Sequence, residues 1–208
     1  MTHALPRVLD ELDRLGLRAT FFVEGINCEL YPDAVRTIAE RGHEVGAHGW
    51  RHEPWIELDP TDERQLLERA TGAFRSLGID PTGFRPPGGG LTPSTPELLS
   101  ELGYRWCSPV VDAVPEDDHR IRWVPFDWEL VDAYYLMDSF ASLRVSRGEQ
   151  AQPLEPAAVA ERFAKILRDG RADGARTVIM HPFLLLDETW WENARRTLAL
   201  IADVVSSG

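Results

Sequence analysis

Two of the six histidines, His48 and His52 in GHEVGAHGWRHEPW, stand four residues apart. An H-x-x-x-H pair can present two imidazoles to one metal ion, from a helix face or from a tight loop. The intervening Gly49, Trp50 and Arg51 exclude the H-E-x-x-H arrangement of zinc proteases. On spacing alone, a metal pair and two packing or surface histidines both stay open. Arg85 in TGFRPPGGG precedes Pro86 and Pro87, which fix the backbone beyond it. An arginine so held can orient a carboxylate or make a surface ion pair. His181 in RTVIMHPF follows an apolar run and precedes a proline, a place that suits a structural or a catalytic histidine.

Other chemistry finds less support. The three glycines after Pro87 lack the lysine and the serine or threonine of a phosphate-binding loop, so they read as a stiff turn. No G-x-S-x-G elbow occurs, and neither Cys28 nor Cys107 lies near a histidine in sequence, which leaves nucleophilic acyl transfer without a signal. Asp112, Asp117, Asp118, Asp127 and Asp132 crowd one segment and read as a solvated acidic loop. Trp50, Trp55, Trp123 and Trp128 could wall a sugar-binding groove or edge the core.

Composition narrows the field further. A chain of 208 residues with 43% hydrophobic and 27% charged residues is expected to form one globular domain spanning 1–208. Its formal charge of -12 disfavours nucleic acid and anionic membranes as partners, since both reward clustered Lys and Arg. Lys165 is the only lysine and sits in a helical pattern, which argues against Schiff-base chemistry. The absence of a long apolar run and of a signal-peptide pattern at the N-terminus gives a cytoplasmic expectation, with the two cysteines as free thiols.

Positioning these residues falls to alternating elements. Helical patterns occupy 5–16, 31–42, 59–78, 94–103, 155–170 and 188–207. Short apolar runs read as strands at 18–25, 43–49, 82–90, 104–111, 122–128 and 176–183. Such alternation predicts a parallel sheet or barrel with covering helices, whose site lies at the C-terminal ends of the strands. Glu24, His48, Arg85 and His181 each fall at such an end. Residues 111–152 are the least regular stretch and read as an insertion or lid.

Taken in order, RATFFVEG, YPDAVRTIAERGHEVGAHGWRHEPW, GFRPPGG with LLSELGYRW, and VIMHP resemble the polysaccharide deacetylases, the NodB-homology or carbohydrate esterase family 4 proteins. The branch that looks closest holds peptidoglycan-deacetylase-like and allantoinase-like members. The resemblance implies an α/β fold, a distorted (β/α) barrel, and a metal-dependent hydrolase acting on a non-peptide carbon–nitrogen amide bond such as a sugar N-acetyl group. It implies His48 and His52 as ligands of zinc or another divalent ion, Arg85 as support for the catalytic carboxylate and His181 as general acid. VPFDWELVDAYY resembles the acidic segment of the branch, which makes Asp132 a catalytic candidate and Asp127 a weaker one. Trp50, Pro86 and Trp128 are the candidate contacts to a carbohydrate or small-molecule amide substrate.

One part of the pattern departs. In the family a first strand ending in an aspartate pair precedes the first helix, and MTHAL supplies neither the strand nor the pair. The barrel is therefore expected to be incomplete at its first strand, with an edge that a homo-oligomer could cover. Either the strand lies upstream of Met1, or another acid takes over, with Glu24, Glu53, Asp127 and Asp132 as the local candidates. The alternative reading is a repurposed barrel that binds a sugar or small metabolite without a working metal centre.

Overall fold

The computed structural model describes residues 3–116, 120–169 and 176–207; Asp117 and Asp118 of the acidic segment lie outside them. The chain forms two compact units, one of Met1–Leu17 with Asp127–Gly208 and one of Arg18–Phe126.

The first unit opens with α1 (Ala4–Arg14), where helical spacing buries Leu5, Val8, Leu9 and Leu12 on one stripe. Glu11, also buried on this helix, is satisfied by Arg14 at 2.6 and 3.0 Å.

The second unit carries the sheet. Its elements are β1 (Thr20–Val23), α2 (Asn27–Leu30), α3 (Pro32–Glu40), β2 (Glu44–Ala47), α4 (Pro60–Ser76), β3 (Gly83–Phe84), α5 (Thr95–Leu102), β4 (Trp106–Cys107) and β5 (Arg122–Trp123). All five strands run parallel in the order β1-β2-β3-β4-β5, so the ladder is open and β1 and β5 are its edges. Strands and helices alternate as the hydrophobic pattern requires, with Val35, Ile38, Ala47, Trp55, Leu67, Phe74, Phe84 and Leu99 fully buried between them.

All five strands are shorter than the apolar runs, and β3, β4 and β5 hold two residues each. Pro86, Pro109 and Pro125 lie just beyond these three, where proline cannot donate to a ladder, and β4 and β5 pair again only at the Val110–Phe126 bridge. At the N-terminal end of the sheet, the Glu44 carboxylate accepts from Thr20 Oγ1 (2.9 Å), Thr82 Oγ1 (3.0 Å) and Trp106 Nε1 (2.9 Å), stitching neighbouring strands together. Gly83 must be glycine, since an added Cβ would lie 2.4 Å from the Trp106 indole.

The first unit resumes with α6 (Asp132–Leu136), α7 (Ala141–Ser146), α8 (Pro156–Arg168) and α9 (Glu188–Ser207). The apolar run before His181 makes only one parallel bridge, Val131 to Ile179, rather than a full strand. The described residues of the stretch 111–152, irregular by sequence, hold β5, α6, α7 and several single 3-10 turns. Buried Arg144 gathers part of it: its guanidinium donates to the carbonyls of Tyr134, Met137 and Ala151. No helix among the described residues is long and apolar enough to cross a membrane.

Candidate active site

In the second unit, Glu24, His48 and Arg85 directly follow β1, β2 and β3, the strand ends where parallel folds place chemistry. Backbone bonds fasten these ends together: His48 N donates to Val23 O at 3.0 Å, and Arg85 N to Ala47 O at 3.0 Å. His48 Nδ1 lies 2.7 Å from the Arg85 carbonyl. A carbonyl can only accept, so Nδ1 carries the proton and the neutral ring has its lone pair on Nε2, the form in which histidine ligates metals.

His52 lies with its ring centroid 4.9 Å from that of His48, edge to face. Its backbone is left-handed, φ 62°, an uncommon state for a residue with a Cβ. The turn is held by Glu53, whose carboxylate accepts from Trp50 N (3.0 Å) and Arg51 N (2.8 Å). Gly49, also left-handed at φ 68°, has no room for a side chain, as a Cβ would meet Glu53 Oε2 at 2.8 Å. Glu53 is thus a brace for the histidine loop, with both oxygens turned to its amides.

The imidazole pair supplies two donors of the type zinc accepts, where catalytic zinc sites use three from the protein. Among the described residues no group of three or more His, Cys, Asp or Glu is placed to hold a metal. Glu24, a candidate replacement acid, instead accepts from Asn27 Nδ2 at 3.2 Å.

Arg85 lies deep. Its guanidinium donates to Ser108 Oγ at 2.9 and 3.3 Å and lies over the rings of Phe22 (4.2 Å) and Phe126 (5.3 Å). Burial away from water lowers its hold on the proton, to about 9, and it remains a cation at neutral pH. Among the described residues no carboxylate pairs with it, so the acid that Arg85 was expected to orient is not found there. Ser108, at the end of β4, was missed by sequence reasoning; its place after the short WC strand was the available signal.

The expected substrate contacts differ in exposure. Trp50 is 2% exposed, with the Arg69 guanidinium 3.9 Å over its ring, so it packs the interior rather than walling a groove. Pro86 is buried as well.

In the first unit the Val131–Ile179 bridge sets Asp132 beside His181. Asp132 is wholly buried; its Oδ1 accepts from Ala133 N (2.7 Å) and from His181 Nδ1 (2.6 Å), and its Oδ2 from His181 N (2.8 Å). Three N–H groups thus hold the carboxylate, and it in turn fixes the ring with Nδ1 protonated. The sequence placed both residues on the candidate roster without showing that they pair. Asp127 accepts from Arg147 (2.9 Å) and caps Glu129 N (3.1 Å), a surface role. Trp128 is half-buried against Phe140 (5.5 Å) and Tyr134 (6.1 Å).

Residues 1–107, just over half of the chain, match the family model described as polysaccharide deacetylase. The chain belongs to the polysaccharide deacetylase family. Among relatives, it is 38% identical over 109 residues to peptidoglycan-N-acetylglucosamine deacetylase PgdA of Listeria monocytogenes, covering 51% of this chain and 23% of that one. It is 37% identical over 121 residues to chitin deacetylase 1 of Saccharomyces cerevisiae, covering 58% of this chain and 36% of that one. The chain therefore spans roughly a quarter to a third of these relatives. A crystal structure of a candidate polysaccharide deacetylase from Mycobacterium smegmatis superposes with a TM-score of 0.82 at 28% identity, covering 96% of this chain and 70% of that one. The fold class is accordingly the α/β distorted barrel of the NodB-homology type, with strands that hydrogen bonds do not close into a ring.

Proposed function

We propose that this chain is a metal-dependent hydrolase of a carbon–nitrogen amide bond, with the N-acetyl group of a sugar as the substrate class. The observation that carries the reading is the His181–Asp132 pair, an imidazole whose Nδ1 is committed to a buried carboxylate 2.6 Å away. Membership of the deacetylase family, and relatives named for deacetylating peptidoglycan and chitin, support it.

In this reading His48 and His52 would hold a zinc or similar divalent ion, which when bound would supply polarisation of the acyl carbonyl. Glu53 keeps the two imidazoles on their loop. His181, charged by a proton taken up at Nε2, gives that proton to the departing amine nitrogen, while Asp132 accepts from Nδ1–H, stabilises the imidazolium and fixes the direction of the ring. Arg85 offers a half-buried positive charge suited to an anionic group at the strand ends.

A second reading, a barrel that binds a sugar or small metabolite without a working metal centre, is favoured by one observation: the described residues complete no three-donor cluster. Elemental analysis of the purified chain beside its His48→Ala and His52→Ala variants separates the two. Near-stoichiometric zinc that disappears in both variants supports the hydrolase. No metal in any of them, even with zinc supplied, supports the binding protein.

A further inference from the structure

Glu63 on α4 is fully buried, and among the described residues no cation pairs with it. A carboxylate removed from water is costly unless every lone pair finds a donor. Here the donors are three hydroxyls of one segment: Thr92 Oγ1 at 2.7 Å, Ser94 Oγ at 2.5 Å and Thr95 Oγ1. That segment is the continuation of the Arg85-Pro86-Pro87 stretch through its glycines.

Thr95 Oγ1 also accepts from Trp55 Nε1 at 3.2 Å. Trp55 follows His52 by three residues, is fully buried, and packs its ring 4.9 Å from that of Phe84, the residue before Arg85. One carboxylate is therefore linked, directly or through a single hydroxyl, to the loops that follow β2 and β3. Those same two loops meet again where His48 Nδ1 donates to Arg85 O.

We propose that Glu63 is a positioning residue that clamps the histidine loop (48–55) to the arginine loop (85–95) and so sets the aim of His48 and His52. Its consequence for metal rests on the reading of those histidines as ligands; the clamp itself does not. A residue that merely stabilised α4 would leave the loops as ordered as any other change of equal cost. Thr71 supplies that comparison, since its buried hydroxyl, on the same helix, bonds Leu67 O (2.7 Å) and Tyr104 OH (2.9 Å), away from both loops.

The experiment compares Glu63→Ala, Glu63→Gln and Thr71→Val with the parent chain. Hydrogen exchange of the Trp55 indole N–H and of the 48–55 and 85–95 amides is followed by NMR without metal, and zinc affinity is measured by calorimetry. Glu63→Ala should lose protection in both loops by about tenfold or more, the scale of one buried hydrogen bond, and weaken zinc binding by a similar factor. Glu63→Gln, which keeps one acceptor oxygen, should fall between, and carries the comparison alone if the alanine variant does not fold. Thr71→Val should lower the unfolding temperature without selective loss in the loops. Unchanged loop protection in the Glu63 variants, or an equal loss in Thr71→Val, overturns the clamp. A parent chain that binds no zinc overturns the ligand reading, while the exchange data still decide the clamp.

Discussion

Replacing Asp132 by Asn tests the His181 pairing atom by atom. The native carboxylate accepts three N–H groups: Ala133 N and His181 Nδ1 on one oxygen, His181 N on the other. An Asn side chain has one oxygen and one NH2 group. With its oxygen in the Oδ1 place, the NH2 faces the His181 backbone N–H, donor against donor. Turned over, the NH2 faces Ala133 N–H and the ring, and His181 must move its proton to Nε2. Either way a buried amide loses its acceptor, at about 1–3 kcal/mol, and the remaining bonds lose their charge assistance. A total of about 3 kcal/mol corresponds to a fall of about 6–12 °C in the unfolding midpoint for a chain of this size. Thermal unfolding followed by circular dichroism gives the first number, and nitrogen-15 spectra of His181 give the tautomer. In the hydrolase reading, activity should drop by about two to four orders of magnitude, because the ring would be misdirected or wrongly protonated. A midpoint within a degree or two of the parent chain, with the His181 tautomer unchanged, would refute the reasoning.

Two further outcomes follow from burial and packing. Burial pushes the Cys28 thiol up to about 11 and raises that of Cys107 as well. Below the unfolded thiol range near 8.5, both states keep the proton and stability is unaffected. As pH rises from there toward 11, the unfolded thiols ionise freely while the buried ones do not, so the urea midpoint should fall more in the parent chain than in a Cys28→Ala, Cys107→Ala double variant, where Tyr104, Tyr135 and Arg85 still contribute. An equal pH dependence in the two proteins would contradict the burial argument. Gly83→Ala should destabilise by about 2 kcal/mol, since its Cβ would overlap the Trp106 ring at 2.4 Å within a two-residue strand. Gly72→Ala, on α4 with nothing within 4 Å, should be neutral or slightly stabilising, and equal urea midpoints for the two variants would refute the contact.

Much of the fold was legible because apolar spacing reports burial directly. The stripe of Leu5, Val8, Leu9 and Leu12 gives α1, and Asp59 before Pro60 caps α4, its side chain accepting from Thr61 N and Asp62 N. Strand lengths are shorter than the apolar runs because Pro109 and Pro125 lack the N–H that continuous pairing needs, so β4 and β5 resume beyond them only as the single bridge of Val110 with Phe126. Placing His48 and Arg85 at strand ends needed only the alternation of elements. Pairing of Asp132 with His181 rests on a bridge between residues 48 positions apart, Val131 and Ile179, which no local pattern encodes. The brace at Glu53 was visible only as one more acid near the histidines. Sequence leaves Trp50 open between a groove wall and a core edge, because it shows an aromatic beside a loop and not the Arg69 guanidinium that covers it.

The most direct measurement is acetate released from an N-acetylglucosamine oligomer by the zinc-supplied chain, compared with its His181→Ala variant. The account predicts release by the parent chain and a loss of about a hundredfold or more in the variant, the usual contribution of a positioned proton donor. No acetate from a parent chain that holds zinc, or equal rates in the two proteins, would contradict it.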